Sequence, residues 1–229
     1  MPVIEPIPVE LEMEEVKGTL RTDDLEHARR VIEDVKPLVS ARAAYRISYV
    51  DEKMEGAVVI DGIRFRSRVL RKNLEEVGRV FAYVVTIGPE LEEKASRSTD
   101  LLENYSLNAL GNLALRKARI HLQDSVGSMY GLGSLSFMSP GSLADWPIEE
   151  QRPLFSILKG EEAGIGVRLT ESFLMIPRKS VSGILFPTED TFYNCQLCPR
   201  ERCEGRKAPY DETLAREYGI LSPDLRRNA

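Results

Sequence analysis

Three residues in this chain have the types and spacing to bind a metal. Cys195, Cys198 and Cys203 are its only cysteines. The C-x2-C pair can turn two thiolates toward one centre, and the third arrives after a short loop, as zinc and iron–sulfur sites require. A tetrahedral site takes four ligands, and the two histidines, His27 and His121, lie far away in sequence. Arg200, Arg202 and Arg206 flank the thiols and favour the thiolate form. Two readings stand side by side. One is an iron–sulfur cluster or zinc held by the three cysteines; the other is three reduced thiols in a surface turn. An odd count in such small loops makes a poor disulfide framework.

A second kind of chemistry is written in Gly166–Pro187, GVRLTESFLMIPRKSVSGILFP. Val167, Leu169, Phe173, Met175, Ile184 and Phe186 are apolar with many polar neighbours, the pattern of two half-buried strands. Pro177-Arg178-Lys179-Ser180 reads as the bend between them. Thr170, Glu171, Ser172, Ser180 and Ser182 crowd hydroxyls and a carboxylate onto this hairpin. Such a face is either solvated or binds something polar. Upstream, Ser139-Pro-Gly-Ser-Leu-Ala-Asp-Trp-Pro147 is a turn-rich loop in which Pro140 presets φ and Gly141 takes the positive-φ slot. A loop of this composition offers backbone groups to a ligand. Trp146 either stacks on a ring system or plugs the loop onto the core, the plainer reading.

Together the two segments resemble the activation domain of cobalamin-dependent methionine synthase. Leu169-Thr-Glu-Ser172, Met175, Pro177 and Ser180-Val-Ser-Gly183 match its LTES…M.P..SVSG stretch, and Pro140-Gly141 matches its proline-glycine loop. Thr86-Ile-Gly-Pro-Glu-Leu-Glu-Glu93 resembles a helix entry in small stand-alone relatives. The resemblance covers roughly residues 40 to 190 and is strongest from 137 to 187. It implies an α+β domain that binds S-adenosylmethionine and holds it against a corrinoid. Cofactor-binding residues carried over by it are Ser139 and Gly141 in the loop, and Glu171, Ser172 and Ser182 in the hairpin. Three family positions differ. The family loop reads Arg-x-x-Pro-Gly-Tyr, whereas Phe137 and Ser142 stand at the arginine and tyrosine. An acidic helix ligand aligns with Arg116. Arg152 and Arg178 are the candidate replacements for the missing cation.

The function implied is an accessory protein that reactivates a cobalamin-dependent methyltransferase such as methionine synthase. S-adenosylmethionine would lie in a groove between the 139–146 loop and the 169–183 hairpin, supporting reductive re-methylation. Cobalamin would come from a corrinoid partner, since no DxHxxG motif is present. The alternative is a metal- or iron–sulfur-binding interaction module that keeps the fold and has lost the methyl-donor site. A further alternative is a scaffold with no ligand. No GxGxxG, GKS or GKT loop and no marked nucleophile is found. Glu171 has its own plainer reading, a strand carboxylate paired with Arg168 or Lys179.

Several elements must position these residues. Thr22-Asp23-Asp24 starts a helix whose spacing runs through Leu25, Ala28, Val31, Ile32 and Val35 to Pro37. A strand is expected at Ile7 to Met13. Period-two patterning from Tyr45 to Val69, with an Asp61-Gly62 turn, predicts a meander. Val69 to Val77 reads as a short helix, Val80–Ile87 as a strand, and Pro89 as the opening of another helix. After Thr99-Asp100, Leu101 to Tyr130 reads as one long helix, apolar or small on much of its circumference and buried against the sheet. Short helices are expected at 149–159 and 211–218, with the last residues, 223 to 229, frayed.

The fold predicted is α+β, a twisted, mostly antiparallel sheet from residues 45–87 and 167–187 packed by the 101–130 helix. Residues 1–190 form the activation-domain-like domain, with 1–40 as lead-in, and 191–229 a cysteine-containing appendage. The chain has 229 residues, long enough for a real core. Its net charge of −5 argues against non-specific nucleic-acid binding and against a polybasic membrane anchor. No signal peptide and no membrane-length apolar run is seen, so a cytoplasmic location is expected.

Overall fold

Local chemistry accounts for most elements of the computed structural model, which describes residues 3, 4, 6–189, 191–203 and 206–220. The frayed end expected at 223–229 lies outside the described residues. In chain order the elements are β1 (Val3–Ile4), α1 (Met13–Leu20), α2 (Leu25–Val35), β2 (Arg42–Met54), β3 (Ala57–Ile60), β4 (Ile63–Arg66), α3 (Arg68–Asn73) and β5 (Arg79–Thr86). Then come α4 (Glu90–Arg97), α5 (Leu101–Met129), β6 (Leu135–Met138), α6 (Gln151–Leu158), α7 (Glu161–Gly164), β7 (Arg168–Leu169), β8 (Met175–Ile176), β9 (Ser180–Pro187) and α8 (Glu212–Glu217). The class is α+β, with an antiparallel sheet and one long helix, as expected.

The main sheet runs β4-β3-β2-β5-β9-β6, with β1 added on β2, and β7-β8 form a separate two-stranded ribbon. Asp61 and Gly62 have φ of 48° and 75°, so both occupy the left-handed region that a two-residue hairpin turn demands. Ile60 accordingly faces Ile63 across β3 and β4.

Two compact units divide the chain. The first comprises residues 1–46, 83–130 and 158–182; the second comprises 47–82, 131–157 and 183–229. In the first unit, Asp24 caps α2 by accepting from the N–H groups of Glu26 and His27, at 3.0 and 2.9 Å. Asp100 caps α5 in the same way through Leu102 and Glu103. Val16 and Leu20 of α1, Ala28, Val31 and Val35 of α2, Leu91 and Ala95 of α4, and Leu107, Leu110 and Leu113 of α5 form one buried cluster. Burying each of these leucines or valines contributes about 1.5–3 kcal/mol. Tyr45 of β2 is fully buried, and its hydroxyl lies 3.2 Å from that of Tyr130, just past α5. Desolvation, with Tyr130 alongside, pushes its phenol well above the usual range.

Two expectations are corrected. The strand placed at Ile7 to Met13 is not formed, and α1 begins at Met13. The hairpin placed on 167–187 is not one pair of strands. Its first half folds on itself as β7 and β8, with Arg168 opposite Ile176 and Leu169 opposite Met175. Its second half, β9, pairs instead with β6, Phe137 facing Leu185 and Met138 facing Ile184. Alternation specifies a buried face but not which strand supplies the partner.

Candidate functional site

Ser139–Pro147 closes on itself in the second unit. Gly141 has φ 82°, which favours glycine, and an added Cβ would lie 2.8 Å from Ile148 Cδ1. Its N–H donates to Trp146 O at 2.7 Å, and Trp146 N–H donates to Leu143 O at 3.1 Å. Ser142 Oγ donates to Ser139 O at 2.5 Å and accepts from Asn194 Nδ2 at 2.7 Å. Trp146 is fully buried, edge-on to Phe65 at a centroid distance of 6.2 Å. The tryptophan is therefore the loop's plug.

One carboxylate fastens the loop to a helix start. Asp145 Oδ2 accepts from Ser67 Oγ at 2.5 Å and from Val69 N–H at 3.0 Å. Ser67 is itself the N-cap of α3, accepting from Leu70 N–H at 2.9 Å. Two buried groups beside the turn, Ser139 Oγ and Trp146 Nε1, have no hydrogen-bond partner among the described residues. Buried polar atoms of this kind call for a ligand or water.

Phe137 is half-buried on β6. The Lys207 ammonium lies 5.5 Å from its ring centroid, within cation–π range. The sequence pointed to Arg152 or Arg178 as the cation near this position and gave no sign of Lys207. Arg178 is bound to Glu92 in the first unit, its Nε donating to Glu92 Oε1 at 2.5 Å. Lys207 was hard to see because a separate segment brings it to Phe137.

That segment is the cysteine loop. Cys195 and Cys198 are half-buried and Cys203 is exposed, all three as free thiols. Among the described residues no group of three His, Cys, Asp or Glu side chains is placed to hold a metal. Cys195, Cys198 and Cys203 are not gathered into such a group among the described residues. A guanidinium holds this loop instead. Arg206 donates to the carbonyls of Cys195 at 3.2 Å, Cys198 at 3.3 Å and Ala208 at 3.3 Å, and to that of Arg200. Cys195 Sγ accepts from Lys207 N–H at 3.4 Å, a weak bond that fixes the backbone next to the ammonium.

The hairpin residues lie in the first unit. Glu171 and Ser172 are exposed in the turn joining β7 to β8, not within a strand. Thr170 organises that turn: its Oγ1 accepts from Leu174 N–H at 3.0 Å and lies 3.1 Å from Ser172 Oγ. Phe173 is left-handed there, with φ 62°. Ser182 is buried on β9, and its hydroxyl lacks a partner among the described residues. Ser180 Oγ, by contrast, is bound to Pro177 O at 2.7 Å and to Thr86 Oγ1 at 3.0 Å. Glu171 has no ion pair among the described residues; Lys179, one of its expected partners, donates instead to Asn112 Oδ1 at 2.7 Å and Asn108 O at 3.2 Å.

Among the described residues no helix is long and apolar enough to cross a membrane. Residues 139–207 match the family model described as the vitamin B12 dependent methionine synthase, activation domain. The match takes in the proline-glycine loop, the Thr170 turn, β9 and the cysteine loop as far as Lys207. No curated protein matches the chain. Among solved structures, one titled as the MetH reactivation domain bound to AdoHcy is similar at a TM-score of 0.55 and 16% identity. The alignment covers 84% of this chain and 82% of that one, a likeness of fold. Residues 139–207 are thus similar in sequence to the activation domain of vitamin B12-dependent methionine synthase, and over most of its length the chain shares the fold of the MetH reactivation domain.

Proposed function

We propose that this protein is an activation-type accessory component for a cobalamin-dependent methyltransferase and binds S-adenosylmethionine. The observation that carries the reading is the family match across 139–207, which includes both motif segments. The solved relative of the same fold is titled as bound to AdoHcy, the product that methyl donation leaves. Ser139, Gly141, Glu171, Ser172 and Ser182 are the residues we assign to contact the methyl donor. The orphaned hydroxyls of Ser139 and Ser182 suit that assignment. Lys207 takes the part of the absent arginine toward the donor's carboxylate, because its ammonium stands over Phe137.

A partner's corrinoid, reduced by an external one-electron donor, would supply the nucleophile that takes the methyl group, leaving S-adenosylhomocysteine. This protein's share is positioning, which can lower such a barrier by about 7–11 kcal/mol when the reacting atoms are held in line. Calorimetric titration with S-adenosylmethionine tests the reading. Heat of binding, and a weaker affinity in Lys207→Met, are expected. No heat and no thermal shift at millimolar ligand overturns it.

A further inference from the structure

A cavity lies within the first unit, and none of the residues assigned above lines it. It has a volume of about 460 Å³, inside the range of small-molecule sites. Its floor is an unusual run on α5, Asn104, Asn108 and Asn112, one helical turn apart. Asparagine is a poor helix former because its amide competes for the backbone. Three of them on one stripe of α5 call for a reason.

The amides are organised toward the cavity. Asn104 Nδ2 donates to Ala95 O at 2.7 Å, tying α5 to the last turn of α4. Asn108 Nδ2 donates to Asn104 Oδ1 at 3.0 Å. Asn112 Oδ1 accepts from Lys179 Nζ at 2.7 Å, and Asn108 O accepts from the same ammonium at 3.2 Å. Gly111 makes room for this: a Cβ there would sit 3.2 Å from Lys179 Cε and 2.9 Å from Leu91 Cδ2.

The charges do not balance. Among the described residues Glu92 is the only carboxylate lining the cavity, and both its oxygens are committed to Arg178, one to the backbone N–H at 2.8 Å and one to Nε at 2.5 Å. Among the same residues the Lys179 ammonium donates only to neutral oxygens, two of them, which leaves one N–H for something else. It is half-buried, and desolvation, with Arg178 beside it, holds its ammonium below the ordinary range. A half-buried cation facing neutral amides has a place for an anion.

We propose that this cavity binds a small hydroxy-carboxylate, its acid group on Lys179 and Arg178 and its hydroxyls on the Asn108 and Asn112 amides. A singly charged acid group fits better than phosphate. Ala95 and Ser96 line the cavity from the C-terminal turn of α4, where the helix dipole is negative. No run of converging backbone N–H groups is available there for a dianion.

Calorimetric titration of the full chain with D-glycerate, which carries one carboxylate and two hydroxyls, and separately with inorganic phosphate at matched ionic strength, tests this. Glycerate is expected to bind more tightly than phosphate, and Lys179→Met to weaken glycerate by about tenfold or more. A second measurement needs no variant: glycerate protects Lys179 from acetylation, read by mass spectrometry. Equal or tighter phosphate binding overturns the proposal, as does unchanged glycerate affinity in Lys179→Met. Absence of both glycerate heat and protection also overturns it. Competition between glycerate and S-adenosylmethionine would mean that the cavity belongs to the methyl-donor site, and equally overturns it. The inference does not rest on methyl-donor binding and survives if that titration is silent.

Discussion

Replacing Asp145 by alanine removes the one carboxylate that holds the 139–147 loop to α3. Two bonds are lost, from Ser67 Oγ and from Val69 N–H, both to the same oxygen. Hydrogen bonds to a charged group contribute about 1.5–3 kcal/mol each, and Asp145 is half-buried, which favours the low end. The expected loss is therefore roughly 3 kcal/mol. For a chain of this size that lowers the melting temperature by about 6–12 °C. Asp145→Asn keeps an acceptor in place without the charge, so it should lose about half as much. Ser67 still caps α3 through Leu70, so helix content should be unchanged in both variants. Thermal unfolding followed by circular dichroism reads the shift. A change under about 2 °C in Asp145→Ala, or a larger loss in Asp145→Asn than in Asp145→Ala, refutes the reasoning.

Three further outcomes are expected. Gly141→Ala forces a left-handed alanine against Ile148 and should cost about 1–2 kcal/mol, seen as a lower denaturation midpoint. Lys179 has a folded-state pKa below its unfolded value of 10.5, so the unfolded chain binds more protons in the interval between them. Wild-type stability relative to Lys179→Met should therefore rise as pH climbs toward 10.5, and a flat or falling difference contradicts the burial argument. Arg206→Ala removes the guanidinium that ties four carbonyls of the cysteine loop, so Cys195 and Cys198 should react with a maleimide several-fold faster. An unchanged rate would show that something else holds the loop.

Periodicity carried the sequence reading where one element satisfies its own pattern. The long α5, the β2–β4 meander and the β5 strand were legible for that reason, and Asp100 and Gly62 marked their ends. Legibility failed where two patterns overlap or where partners are distant. Ile7, Val9, Leu11 and Met13 alternate, which reads as a strand, yet Val16 and Leu20 at helical spacing turn Met13–Leu20 into α1. The alternation of 166–187 was real but served two pairings, β7 with β8 and β9 with β6. The proline-glycine loop was visible because its turn chemistry is local. Lys207 and the asparagine cavity were not, since each depends on a cation delivered from elsewhere in the chain. The asparagine stripe alone was a signal that could have been read, three poor helix formers one turn apart.

The amide proton of Gly141 is already spent on Trp146 O. A molecule touching this residue's backbone polar groups must therefore meet oxygen, not hydrogen. Oxygen welcomes cations and hydroxyls and repels carboxylates, so on the function proposed above the turn would discriminate a sulfonium from its neutral thioether. Grip would then relax once the positive charge departs with the methyl, and release of the spent nucleoside would follow from the proposed reaction.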